Sequence, residues 1–252
     1  MEKVVFLLWG ALDPDQGDAV RDELLITVAP ELLSAGVRGL TVNVHDTRAA
    51  EAPSPAPPPG DEAAPLAQVS VWLDSYDKRG DVDDTLGALG LPVSGHLVTE
   101  SVYDDYGTTI HAASRTWPDG QRSPGVLTVA LVHRPAGLAY AEWIERWHGT
   151  QSPESGRLQP RTRYVRNEVH RAVTPGAPQI DGIVEEGWPS AAHVADPMLF
   201  FNAEGDVGRL QANVERMMAN VTACLDLERL RSVTMSEHLV LSVPAALTGR
   251  AG

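Results

Sequence analysis

The chain has 252 residues and a mass of 27.1 kDa, with 43 % apolar residues, 21 % charged residues and a formal charge of −14. That balance excludes wholesale disorder, and so acidic a field repels nucleic-acid phosphates and anionic lipid heads. The single cysteine, Cys224, rules out an intrachain disulfide, and no apolar run approaches the ~20 residues of a membrane span.

The opening Met1-Glu2-Lys3, followed at once by Val4-Val5-Phe6-Leu7-Leu8, reads as a first strand rather than a signal peptide. A soluble, cytoplasmic globular protein is expected. Lys3–Trp9 has strand length. Gly17–Ser34 carries Val20, Leu24, Ile26, Val28, Leu32 and Leu33 at helical spacing, with Gly36 as a stop. Val37–His45 and Gln68–Ser75 alternate like strands, Val82–Leu89 is a short helix, and His96–Tyr103 closes the half as a strand.

Two stretches interrupt this pattern. Residues 48–67 are rich in Pro, Ala and Glu, and read as a long surface loop. Residues 104–124 are polar and turn-rich, so the division is placed there: a first unit over 1–110, a linker over 111–124 and a second unit over 125–241.

The second half repeats the order. Gly125–His133 is a strand, and Leu138–Trp147 is a helix with Tyr140, Trp143, Ile144 and Trp147 on one stripe. Arg161–His170 and Ile180–Glu186 are strands. Asp206–Leu225 is a long helix, and Arg231–Leu241 a closing strand. Two β-α-β-β-α-β runs in tandem predict an α+β fold, in which two ferredoxin-like units form one pseudo-dimeric α/β barrel.

At Trp143-Ile-Glu-Arg-Trp147-His148-Gly149, then Pro153, then Tyr164-Val165-Arg166-Asn167, the second half resembles an EthD domain over roughly residues 125–240. That family belongs to the dimeric α/β-barrel superfamily. Its Trp commonly lies four residues before its His; here Trp143 lies five before His148 and Trp147 directly before it. The first half has no matching His and is a degenerate copy. The resemblance implies a small-molecule pocket between helices and sheet. Relatives of this kind include decarboxylases and dehydratases of polyketide pathways, cyclases and cofactor-free oxygenases.

His148 is the first candidate for chemistry, because an imidazole near the apolar stripe can move a proton near neutral pH. Period-two alternation puts Glu237 on one face with Val233, Met235 and Leu239. It puts Asn167 with Val165 and Val169, and His133 with Leu127, Val129 and Leu131. If those faces meet the helices, the three polar groups converge on His148. Glu237, or Glu185 or Glu186, would orient the imidazole, and Asn167 would donate to a substrate oxygen. Trp147, Tyr164, His133 and Glu185 are the expected substrate contacts. The opposite faces, with Tyr164 and Arg166 on one strand and Ser232 to His238 on the last, are expected to line the seam between the halves. Arg157, Arg161, Arg163, Arg166 and Arg171 form the one basic cluster, expected mainly to pair with the chain's own acids.

No metal-ligand spacing, glycine-rich phosphate loop or nucleophile elbow is present, so neither metal nor cofactor is expected. The expected function is a cofactor-independent lyase or cyclase acting on an aromatic or polyketide-like carbonyl compound. The alternatives are a non-catalytic ligand-binding protein and a cofactor-free oxygenase. The expected partner is a small-molecule substrate, with neither nucleic acid nor membrane, and the protein a pseudo-dimeric monomer or a homodimer.

Overall fold

The computed structural model describes residues 1–57 and 64–243, so part of the Pro-rich stretch and the end of the chain lie outside the described residues. Among the described residues there are eight strands: β1 (Glu2–Gly10), β2 (Gly39–Val44), β3 (Ala64–Leu73), β4 (Val93–Asp104), β5 (Val126–Val132), β6 (Arg163–Ala172), β7 (Gly182–Trp188) and β8 (Arg231–Leu241). They close into one barrel in the order β1-β3-β2-β8-β5-β7-β6-β4, every ladder antiparallel. Two ladders join the halves of the chain: Val42 faces His238 where β2 meets β8, and Glu100 faces Asn167 where β4 meets β6. The fold is therefore α+β around an eight-stranded closed barrel. Closure leaves no sheet edge to pair with another chain.

Among the described residues the longer helical stretches are α1 (14–34), α2 (Gly80–Gly87), α3 (140–158) and α4 (Val207–Cys224), with two one-turn helices at Ala192–Ala195 and Pro197–Phe200, and they pack on the outside. Both α1 and α3 widen into a π-helical turn, Leu24–Val28 and Glu145–Gln151, just before a proline, Pro30 or Pro153. A proline has no N–H for the carbonyl four residues back and its ring crowds that carbonyl, which accounts for the local change of winding. Asp206 caps α4 by accepting from the Arg209 N–H at 3.0 Å, and Gly36, at φ 84°, takes the left-handed turn that ends α1.

Two hydrophobic layers lie under the helices. Val4, Phe6, Leu8, Val42 and Val69 pack on Leu24, Val28 and Leu32 of α1, whereas Ala130, Val132, Tyr164 and Val184 pack on Trp143 and Trp147 of α3. A third lies inside the barrel, where Val5 and Leu7 of β1 meet Leu127, Val129, Leu131, Ile183, Val233 and Met235. This corrects the sequence expectation for the second half. The faces carrying Leu127, Val169, Val233 and Met235 point into the barrel, not toward the helices. The reverse face of β6, with Tyr164, meets α3, whereas that of β8 meets the segment after β2, where Thr234 Oγ1 donates to the Ala52 carbonyl and Ser236 Oγ to Asp46. A barrel strand under a helix is apolar on both sides, so alternation gives no sign of which side is which.

Helix α1 approaches the sheet most closely at Gly17, where a Cβ would lie 1.8 Å from the His45 carbonyl oxygen. Gly17→Ala is therefore expected to push α1 off the barrel and to lower stability by ~2 kcal/mol or more. Urea unfolding followed by circular dichroism checks this, as a lower midpoint at an unchanged slope.

Candidate functional site

The structure divides the seven predicted site residues among three places. Glu237, Asn167 and Glu185 lie inside the barrel toward one mouth, Trp147, His148 and Tyr164 lie on the outer wall under α3, and His133 lies at the opposite mouth.

The interior group is built on Arg163, which sequence reasoning left in a surface cluster. Its Nη1 donates to Glu185 Oε2 and to Glu237 Oε1, both at 3.0 Å. Glu185 Oε1 accepts from Gln68 Nε2 at 2.8 Å, Asn167 Nδ2 at 2.9 Å and Lys3 Nζ at 3.4 Å. Lys3 reaches on to Glu100 at 2.8 Å, and Trp72 Nε1 donates to the same carboxylate at 3.2 Å. The hydroxyl of Tyr106 closes the chain on Glu237 Oε2 at 2.8 Å. Lys3, Gln68, Arg163, Asn167, Glu185 and Glu237 are all buried.

Burial by itself would raise the Glu185 carboxyl, but Lys3 and Arg163 outweigh it and hold the group at about 2. Burial, and then the Glu237 charge, push the Tyr106 phenol well above its usual range. With four donors on its two oxygens, Glu185 is fully engaged by the protein itself. The network braces the barrel. Lys3, Gln68 and Arg163 were missed because their partners lie 182, 117 and 22 residues away along the chain.

On the outer wall, Trp143 and Trp147 are each 1 % exposed and fill the layer between α3 and the sheet. Trp147 Nε1 donates to Tyr164 Oη at 3.4 Å, and the His148 ring meets the Trp147 ring edge-on at 4.8 Å. His148 Nε2 is buried without a hydrogen-bond partner. Burial, and then the nearby Arg166 charge, lower its pKa against the pull of Glu168. On β6 the side chains of Tyr164 and Arg166 face this layer, whereas Asn167 faces the barrel interior. His148 is thus separated from Glu237, Asn167 and Glu185 by the sheet itself, and the expected convergence does not occur.

The opposite mouth holds a cleft of about 420 Å³, lined among the described residues by Trp9, Leu131, His133, Ile180, Arg229 and Arg231, among others. A volume of that order suits a small organic ligand. His133, at the end of β5, is 8 % exposed. Its Nδ1 is buried without a hydrogen-bond partner, and the nearest carboxylate oxygen, Asp181 Oδ2, is 3.9 Å away. Asp181 is itself anchored by the Arg134 N–H at 2.9 Å. Burial, and then Arg229, lower the His133 pKa, with Asp181 and Asp226 opposing, so the imidazole is neutral at pH 7. The cleft thus combines an apolar wall, an uncharged base and two guanidinium groups. Among the described residues, no group of three His, Cys, Asp or Glu side chains is placed to hold a metal ion, and no helix is long and apolar enough to cross a membrane.

Removing the central carboxylate of the interior network tests its role. Glu185→Gln leaves Lys3 and Arg163 short of negative charge and is expected to cost about 3–5 kcal/mol. The carboxyl is depressed in the folded state, so its contribution is complete above about pH 4.5 and is lost as pH falls toward about 2. Acid unfolding of the parent protein is expected to span that window, and the variant to lose much of the slope.

No family model and no curated protein matches the chain. Among solved structures, an anthrone oxidase-like protein aligns over 97 % of this chain and 96 % of its own, with a TM-score of 0.52 and 13 % identity. A protein assigned as a monooxygenase, from Lactobacillus acidophilus, aligns over 94 % of this chain and 93 % of its own at a TM-score of 0.44 and 7 % identity. A dye-decolorizing peroxidase from Bacteroides thetaiotaomicron aligns over 95 % and 93 % at 0.40 and 10 %. At such identities the likeness to the anthrone oxidase-like protein is one of fold alone.

Proposed function

We propose that this chain is a cofactor-independent enzyme of small-molecule metabolism. In this reading it moves a proton at a carbon beside a carbonyl, in a lyase or cyclase step on an aromatic or polyketide-like compound. The observation that carries the reading is the mouth cleft, where neutral, partly desolvated His133 stands beside Arg229 and against the apolar wall of Leu131 and Ile180. An imidazole held below its usual pKa stays in the base form at neutral pH. A guanidinium nearby stabilises the enolate oxygen that forms when the carbon loses its proton. Asp181, 3.9 Å from Nδ1, is the group that would steady the imidazolium once the proton has arrived.

The EthD resemblance points instead to His148, whose unpartnered Nε2 gives that site its own support. His133 is preferred because its cleft is open, whereas two tryptophans fill the layer beside His148.

We further read the chain as two ferredoxin-like units, 1–110 and 125–241, fused so that one polypeptide closes the barrel. The matching orders β4-β1-β3-β2 and β8-β5-β7-β6, and the matching π turns of α1 and α3, support this. A monomer is then expected by native mass spectrometry.

Solvent deuterium incorporation into a panel of β-keto acids and 1,3-diketones, followed by NMR, tests the chemistry. His133→Gln is expected to slow exchange by ~10²–10⁴-fold while His148→Gln leaves it unchanged. The rate should stay level as pH falls from 7, and decline only below the ordinary histidine range, where His133 protonates. Loss in His148→Gln alone would move the site to the outer wall. Ligand binding without exchange in any variant would make the protein a binding module, and oxygen uptake with a phenolic substrate would make it an oxygenase.

A further inference from the structure

The outer wall carries a second pocket, separate from the barrel mouth, between the end of β4, the turn at Thr109–His111 and the last turns of α3. Its volume is about 470 Å³, and Tyr103, Asp104, Ile110, Arg157 and Arg161 contribute to its lining. Arg161, 1 % exposed, reaches it from below. One guanidinium nitrogen donates to Ser155 Oγ at 2.8 Å, the other to the Ser152 carbonyl at 3.3 Å and Asp104 Oδ2 at 3.4 Å, while Nε has no partner.

Behind it lies Arg166, 8 % exposed, which donates to Ser152 Oγ at 2.9 Å and lies 5.1 Å from the Tyr103 ring centroid. Among the described residues no carboxylate comes within 4.0 Å of Arg166. A buried guanidinium without a counter-ion is costly, and here it sits beside a second one. The rim adds Arg157, paired with Glu154, which also takes Arg216. Among the described residues, three carboxylates come within 4.0 Å of these four arginines: Asp104, Glu154 and Glu186. The cluster keeps one positive charge in surplus within a chain of formal charge −14.

Two further features suit a ligand. Gly156 faces the Arg161 guanidinium, and a Cβ there would lie 3.0 Å from Nη2, so the glycine leaves that edge uncovered. Ile110, 96 % exposed, supplies an apolar rim opposite Tyr103.

We propose that this pocket binds an organic oxyanion, with its carboxylate or phosphoryl group toward Arg157 and Arg161 and its apolar body between Tyr103 and Ile110. Arg166 supplies the uncompensated charge that the anion neutralises. Guanidinium groups recognise both oxyanions through the same paired hydrogen bonds.

Isothermal titration with inorganic phosphate, phenyl phosphate and phenylacetate tests the site. One saturating ligand per chain is expected, with the better phenyl ligand binding more tightly than inorganic phosphate and with preference between the two phenyl ligands naming the oxyanion. Arg157 is exposed, so Arg157→Gln should stay folded and weaken binding about tenfold. Gly156→Ala, which crowds Arg161 without removing charge, should weaken it too. Arg229→Gln, at the barrel mouth, should leave affinity unchanged. The proposal falls if no probe binds below ~10 mM, if Arg157→Gln and Gly156→Ala bind as the parent does, or if Arg229→Gln alone abolishes binding.

Discussion

Everything in this barrel is arranged around charges that cannot reach water. Lys3, Arg163, Glu185 and Glu237 stand inside a closed sheet, and each is tolerable only because the others are within hydrogen-bond reach. The ladder registers follow from this. Asn167 and Glu185 can share a bond only if β6 and β7 pair with Val165 opposite Glu185, and a slip of β6 by one residue would turn Arg163 and Asn167 outward. The apolar plug of Val5, Leu7, Leu127, Val129 and Met235 stabilises the interior without direction. The ionic layer beside it specifies which strands meet and in what register.

The same layer decides where chemistry is possible. At its end of the barrel, the carboxylates are engaged by the protein's own donors and Tyr106 stands over Glu237. The other end has no such layer. There the apolar interior opens on a cleft in which His133 Nδ1 is buried without a hydrogen-bond partner. A group that already has its hydrogen bonds is a brace; a buried nitrogen without one is available to a ligand. Applied to the outer wall, this contrast separates Trp143 and Trp147, which fill their layer, from Arg161 and Arg166, whose Nε atoms remain unpartnered.

Much of the architecture was legible in the residues. The Val-Val-Phe-Leu-Leu run of β1, the long helix α4 and the stop at Gly36 each depend on interactions within one segment, and the structure has them within a few residues of expectation. Helix α3 runs eleven residues past Trp147, because the π turn at Glu145–Gln151 carries it across Gly149 and Pro153. The site was less legible. Glu237 and Asn167 stand out as polar residues on apolar faces and Glu185 as an alternative orienter, and these three do come together, whereas His133, read the same way, lies elsewhere. The same argument attached them to His148, since nothing local says which side of a strand buried on both faces is the inside.

The sequence by itself determined the order and type of the elements, the alternation of each strand and the presence of misplaced polar residues, because all of these are properties of contiguous stretches. Only the tertiary structure decided that β2 meets β8 and β4 meets β6, that Lys3 and Glu185 share a bond across 182 residues, and that His133 and His148 lie in separate places. Closing the sheet on itself gives the strands two buried faces and gives β2, β4, β6 and β8 each a partner from the other half of the chain. The information that distinguishes inside from outside therefore resides in contacts between residues far apart in the chain, not in any one of its segments.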